Sequence, residues 1–218
     1  MESPKIAPSI LAADFANLAA EVASVNDHAD MLHVDIMDGH FVPNLSLGIP
    51  IVAALRTTTE LPLDCHLMTT NPADFLPELA EAGASVVTMH IEAIPDPTRA
   101  AAMAKDVGLG FGLVVSPQTP FGAIQPFVAL CDLVVVMSVE PGYGGQTFLE
   151  SSLREIERAR NFIDSEGFGA DIEVDGGITP ETAPRARSAG ADVFVAGTSV
   201  FGASDRRAAI IKLREAIT

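Results

Sequence analysis

The chain has 218 residues, 48% of them hydrophobic, which is enough to build one sizeable core. Its formal net charge of −16 excludes nucleic acid and anionic membrane as partners, because both repel an acidic surface. A small anionic substrate is still admitted, since backbone dipoles bind phosphate whatever the net charge.

In chain order, apolar strand-like runs fall at KIAPS (5–9), MLHVDI (31–36), LDCHLM (63–68), SVVTMH (85–90), LGFGLVV (109–115), LVVVMSV (133–139), DIEVD (171–175) and DVFVAG (192–197). Helical patterns run between them. Asn71 and Pro72, followed by Phe75, Leu76 and Leu79, read as an Asn-capped helix with Pro in its first turn. A second helix opens at Ser151 or Ser152 and keeps Leu153, Ile156, Ala159 and Ile163 on one face. The last runs from Asp205 to Ala216.

Eight strands in this length make one strand–helix unit per roughly 27 residues, the lower end of a (β/α)8 barrel. The strands are nearly continuous apolar runs, as expected of parallel strands covered by helices. No linker, charge block or low-complexity stretch divides the chain. The expected fold is therefore α/β, a single-domain (β/α)8 TIM barrel over residues 1–218. A doubly wound open sheet is the alternative, but no GxGxxG follows the first strand. The connection DGHFVPNLSLG (38–48) is the longest and reads as a functional loop.

Cys65 and Cys131 both sit in apolar strand-like runs, with no Cys or His partner at ligand spacing. A disulfide framework is not expected, and a reducing cytoplasm fits. The start MESPKIAPSI lacks an apolar segment after a basic one, so no secretory leader is expected. No run approaches the roughly 18 apolar residues that a membrane span needs.

In a parallel barrel, chemistry sits at the strand C-termini and the loops that follow. The unusual polar residues fall there. His33, Asp35 and Met37 alternate along the second strand and so share one face. His66 and Met68 do the same on the third, Met137 approaches the end of the sixth, Asp175 closes the seventh, and Ser9 ends the first. A single strand-end histidine is ordinarily just a hydrogen-bonded polar residue. Four ionisable groups at neighbouring strand ends need a cation or mutual pairing. His33, Asp35, His66 and Asp175 suit a divalent zinc, iron, manganese or cobalt ion. His90 shares the rim and reads as structural, with an outer role beside this set as the alternative. His28 and His40 read as loop residues.

Glycine-rich turns follow the sixth, seventh and eighth strands: EPGYGGQ (140–146), DGG (175–177) and AGTS (196–199). They expose backbone N–H groups at the usual phosphate seat of this fold. None of the three carries Lys or Arg, so a phosphate there would be held by amides.

APSILAADF, HVDIMDGHFVPN, LDCHLM, PGYGGQ, EVDGGI and AGTSVF, in this order, closely resemble the ribulose-phosphate 3-epimerase family, and the match covers essentially the whole chain. The resemblance implies a ribulose-phosphate binding barrel that interconverts D-ribulose 5-phosphate and D-xylulose 5-phosphate in the pentose phosphate pathway. It implies Asp35 and Asp175 as the acid/base pair, acting through an enediolate. His33, Asp35, His66 and Asp175 would hold one divalent metal ion, zinc first among the candidates. Ser9 and His66 would touch the sugar. Gly142, Tyr143, Gly144, Gly145, Gly176, Gly177, Gly197 and Thr198 would line the phosphate site, and Met37, Met68 and Met137 the reaction centre. A cytoplasmic homo-oligomer, dimer or hexamer, is also implied.

One position departs from the family pattern: Glu140 stands where an Asn usually precedes the Pro-Gly. Related allulose-6-phosphate 3-epimerases carry an acidic residue there, so D-allulose 6-phosphate is the alternative substrate. A non-catalytic phosphate-binding barrel would keep the glycine loops but has no need of the His/Asp set. A Schiff-base aldolase needs a lysine at a strand C-terminus, and Lys5, Lys105 and Lys212 are not placed there.

Overall fold

The computed structural model describes residues 3–218, so residues 1 and 2 of the expected domain lie outside it. Strands form at all eight apolar runs: β1 Lys5–Pro8, β2 Leu32–Met37, β3 Leu63–Met68, β4 Val86–His90, β5 Gly110–Val115, β6 Leu133–Met137, β7 Asp171–Asp175 and β8 Val193–Ala196. They pair in parallel in the order β1-β8-β7-β6-β5-β4-β3-β2. A bridge between Ser9 and His33 brings β1 to β2 and all but closes the ring. This is a (β/α)8 TIM barrel.

The period-two alternation of each strand sorts its side chains into two cores. Val34, Cys65, Leu67 and Phe194 face outward and pack with helix residues such as Ile156 and Ile163. Ala7, Val114, Val135, Met137 and Val195 form a separate cluster inside the barrel. Met37, Val42 and Met68 cap it at the C-terminal mouth. The interior is thus apolar along β5, β6 and β8. Polar side chains are left to β2, β3, β4 and β7, and to the start of β1, where Lys5 pairs with Asp171 at 2.7 Å.

The helices are α1 Leu18–Ala23, α2 Ile49–Arg56, α3 Leu76–Glu81, α4 Thr98–Asp106, α5 Ser152–Glu166, α6 Ala183–Ala189, α7 Thr198–Phe201 and α8 Arg206–Ile217. On α5, Ile156, Ala159 and Ile163 are buried as the pattern requires. At α8, the Asp205 carboxylate accepts from the Ala208 N–H at 2.9 Å and caps the helix.

Some local expectations change. Asn71 makes no side-chain capping bond, and Pro72–Phe75 is a 3₁₀ turn ahead of α3. Pro77, in the first turn of α3, lacks the N–H that a continuous helix from Pro72 would need there. Between β5 and β6, two 3₁₀ segments, Phe121–Ala123 and Gln125–Leu130, replace an α-helix, and Pro120 and Pro126 fall in this stretch. Cys131 ends the second of these rather than lying in a strand, and both cysteines are free. The connection after β6 (138–151) is longer than the one after β2 (38–48). Among the described residues, no helix is long and apolar enough to cross a membrane.

Candidate active site

β2, β3 and β7 carry His33 with Asp35, His66, and Asp175 to one point below the mouth. Both imidazoles are fully buried and Asp35 is 4% exposed. His33 Nε2 lies 3.4 Å from Asp35 Oδ1 and 3.8 Å from Asp175 Oδ2. His66 Nδ1 lies 3.5 and 3.6 Å from the same two oxygens. One donor atom from each residue falls within 4.8 Å of all the others.

His33 Nε2 and His66 Nδ1 have no hydrogen-bond partner although both are buried. An orphaned buried polar atom costs about 1–3 kcal/mol. Here both are directed between two carboxylate oxygens. Two imidazole nitrogens with two carboxylates are a donor set for a borderline divalent ion, so the cluster could hold a metal.

The far nitrogens of the two rings are engaged. His33 Nδ1 meets Asp64 Oδ2 at 2.5 Å. His66 Nε2 meets His90 Nε2 at 2.9 Å, and His90 Nδ1 lies 3.3 Å from Glu92 Oε2. Burial disfavours the His33 imidazolium, but the Asp35 and Asp64 carboxylates outweigh it and hold this group well above its ordinary range. His66 is raised as well, with Asp175 and Asp35 overcoming burial. Burial opposes ionisation of Asp35, yet the two imidazoles hold it far below the usual carboxylate range. Burial pushes His90 down to about 4 despite Glu92. Glu173 is pushed well up, by burial first and then by the Asp64 charge.

Asp64, Glu173 and Glu92 were not among the expected site residues. Asp64 and Glu173 each stand two positions before a site residue, His66 and Asp175, so alternation turns them inward too. That signal was present in LDCHLM and DIEVD. His90 is also drawn into the site, against the structural reading of its sequence context. Asp64→Ala would take from His33 Nδ1 the carboxylate that it meets. Urea titration of metal-free protein is expected to give a loss of about 3–5 kcal/mol.

Above the cluster lies a cavity of about 340 Å³. Ser9, Asp35, Met37, Met68, Met137 and Asp175 line its floor and sides. Gly142, Tyr143, Gly144, Gly145, Gly176, Gly177, Gly197 and Thr198 line the rest, and the lining contains no Lys or Arg. All the expected substrate-side residues but His66 line this cavity; His66 sits beneath it with His33. Ser9 Oγ donates to Asp35 Oδ2 at 2.7 Å.

At Gly177 φ is +62°, and an added Cβ would stand 2.6 Å from the Phe148 nitrogen. Only glycine fits so close an approach of two backbones. Two loops are tied together over the cavity, as Asn44 Nδ2 donates to the Gly142 carbonyl at 2.8 Å and the Tyr143 hydroxyl to the Pro43 carbonyl at 3.2 Å. Asp38 accepts from the backbone N–H groups of His40, Phe41 and Thr70, which ties the loops after β2 and β3. Phe41 packs over His90 with ring centroids 4.8 Å apart. Glu140 is exposed on the rim, 3.5 Å from Gln118 Nε2.

A model of the ribulose-phosphate 3-epimerase family matches residues 5–201. The chain belongs to this family. It is 48% identical over 211 residues to ribulose-phosphate 3-epimerase of Mycobacterium tuberculosis, covering 97% of this chain and 92% of that protein. It is 47% identical over 218 residues to the cytoplasmic isoform of Oryza sativa subsp. japonica, covering 98% and 94%. Family membership makes the chain an epimerase. Among solved structures, 3-keto-L-gulonate-6-phosphate decarboxylase from Vibrio cholerae superposes with a TM-score of 0.74 over 99% of this chain and 98% of that one. At 18% sequence identity that likeness extends to the fold alone. The epimerase barrel thus carries its buried His/Asp cluster and its glycine loops at the end where this architecture places its chemistry.

Proposed function

We propose that the chain epimerises D-ribulose 5-phosphate to D-xylulose 5-phosphate at carbon 3, as a step of the pentose phosphate pathway. The observation that carries this reading is the meeting of Asp35 and Asp175. They come from β2 and β7, and both line the cavity whose far side is built of glycine turns.

Epimerisation removes the carbon 3 proton beside the ketone and returns a proton to the opposite face. That requires two groups flanking a planar enediolate. One aspartate takes the proton and the other, protonated, delivers one. Asp35 Oδ1 faces the imidazoles and Oδ2 accepts from Ser9, so its carboxylate plane is set before substrate arrives. Asp175 turns Oδ2 to the same imidazoles and leaves Oδ1 for the proton. Met37, Met68 and Met137 wall the centre with polarisable groups that cannot protonate the enediolate. Ser9 and His66 lie where the sugar would be held. Backbone groups at Gly142, Tyr143, Gly144, Gly145, Gly176, Gly177, Gly197 and Thr198 would cradle the phosphate. His33, Asp35, His66 and Asp175 would hold one divalent ion, zinc before iron, manganese or cobalt. Bound there, it supplies Lewis-acid polarisation of the ketone.

We read the protein as cytoplasmic, like the Oryza isoform described so, and as a homo-oligomer, dimer or hexamer. Exposed Phe15, Leu45 and Tyr143, in the loops after β1, β2 and β6, supply apolar surface that association would cover. The second substrate reading, D-allulose 6-phosphate, rests on the Glu140 carboxylate at the cavity rim. Turnover of purified protein on both sugar phosphates, with metal analysis of the same sample, tests the assignment. Higher kcat/KM on ribulose 5-phosphate is expected. Preference for the hexulose phosphate would transfer the activity to it.

A further inference from the structure

We propose that Glu92 and His90 are positioning residues that hold His66 in the one tautomer able to offer Nδ1 to the donor cluster. The proposal rests on the reading of His66 as a metal-binding group and specifies what keeps it so.

The direction of the hydrogen bonds follows from what each group can donate. Glu92 Oε1 accepts from the Ser116 N–H at 3.0 Å and the Thr119 hydroxyl at 2.5 Å. The other oxygen, Oε2, faces His90 Nδ1 at 3.3 Å. An ionised carboxylate can only accept. A bare Nδ1 opposite it would set two lone pairs against each other, so Nδ1 carries the hydrogen. The Ser116 hydroxyl, 3.2 Å from the same nitrogen, can turn to suit.

His90 Nε2 stands 2.9 Å from His66 Nε2, and both rings are fully buried. Two N–H groups cannot face each other at that distance, so a single hydrogen lies between them. With the His90 hydrogen on Nδ1, this one belongs to His66 Nε2. His66 Nδ1 is then bare when the ring is neutral. It is the same atom that is buried, unpartnered and directed at Asp35 and Asp175. The two rings also stack, with centroids 5.0 Å apart and planes at 23°, which fixes the orientation of His66. Asp64, on β3, serves His33 in the corresponding way, so both imidazoles are aimed from behind.

Zinc affinity of the full-length protein, measured by competition with a chromophoric chelator, tests this together with nitrogen NMR of histidine-labelled, metal-free protein at a pH where His66 is neutral. His90→Phe keeps the stacked ring but removes the acceptor, and it is expected to weaken zinc binding about 10–100-fold. His90→Gln retains an acceptor oxygen and is expected to recover most of that loss. Glu92→Gln, at a side chain that is 28% exposed and tolerant of change, is expected to weaken binding and to mix the two His66 tautomers. Wild-type affinity and a single Nε2–H tautomer of His66 in both His90→Phe and Glu92→Gln would overturn the proposal. His66→Ala separates the two readings. If it too bound zinc like wild type, His66 would not be a ligand at all. If it lost zinc while the other two did not, only the positioning role would fall.

Discussion

Asp35→Asn and Asp175→Asn are each expected to abolish epimerisation while the barrel stays folded. A positioned acid or base contributes about 100- to 10,000-fold to a proton transfer. Turnover should therefore fall by at least about 100-fold in either variant. Each carboxylate faces both imidazoles, whereas an amide brings no charge to the cluster. Asparagine keeps the volume and one oxygen, so circular dichroism should be unchanged. Exchange of the carbon 3 proton with deuterated water makes the test specific to two groups. Each variant retains one aspartate, which can remove the proton from the epimer that presents it and return deuterium to the same face. The two variants should therefore label opposite epimers without interconverting them. Near wild-type turnover in either would overturn the two-carboxylate mechanism, and labelling of both epimers by one variant would reduce it to a single mobile base.

The barrel was legible because burial on both faces of a parallel strand leaves a plain record, an apolar run of five to seven residues repeated eight times. Local capping was less so. Asn71 and Pro72 carry a helix-start signature, but Pro77 five residues on cuts the helix short, and the chain settles for a 3₁₀ turn first. In the site, period two placed His33, Asp35, His66 and Asp175 together, and the same rule extended one step further down would have added Asp64 and Glu173. An acid deep in an apolar strand has no evident purpose until its neighbour across the ladder is known. Register supplies that neighbour: His33 lies opposite Asp64, and Asp35 opposite His66. The link from His66 to His90 and Glu92 was illegible for a different reason. It depends on ring orientation and on which nitrogen faces which, and neither is written in spacing.

Exhaustive removal of divalent ions is expected to abolish turnover, and added zinc to restore it. His33 Nε2 and His66 Nδ1 are buried without partners, and the nearest charges are the Asp35 and Asp175 carboxylates. In metal-free protein Asp35 and Asp64 hold His33, and Asp175 and Asp35 hold His66, above the ordinary imidazole range, so the cluster retains protons that an ion would displace. Loading should therefore release protons and weaken as pH falls. It should also stabilise the fold, since an ion at 100 times its dissociation constant adds about 2.7 kcal/mol. For a chain of this length that raises Tm by about 5–10 °C, which calorimetry reads without any substrate. The stabilisation should be smaller in Asp35→Asn and Asp175→Asn, which each remove one charged donor from the set. Full activity in protein verified as metal-free would exclude the Lewis-acid role and leave the aspartates to work with the Ser9 hydroxyl and the imidazoles alone. Unchanged Tm on adding zinc, iron, manganese or cobalt would remove the ion from the site altogether.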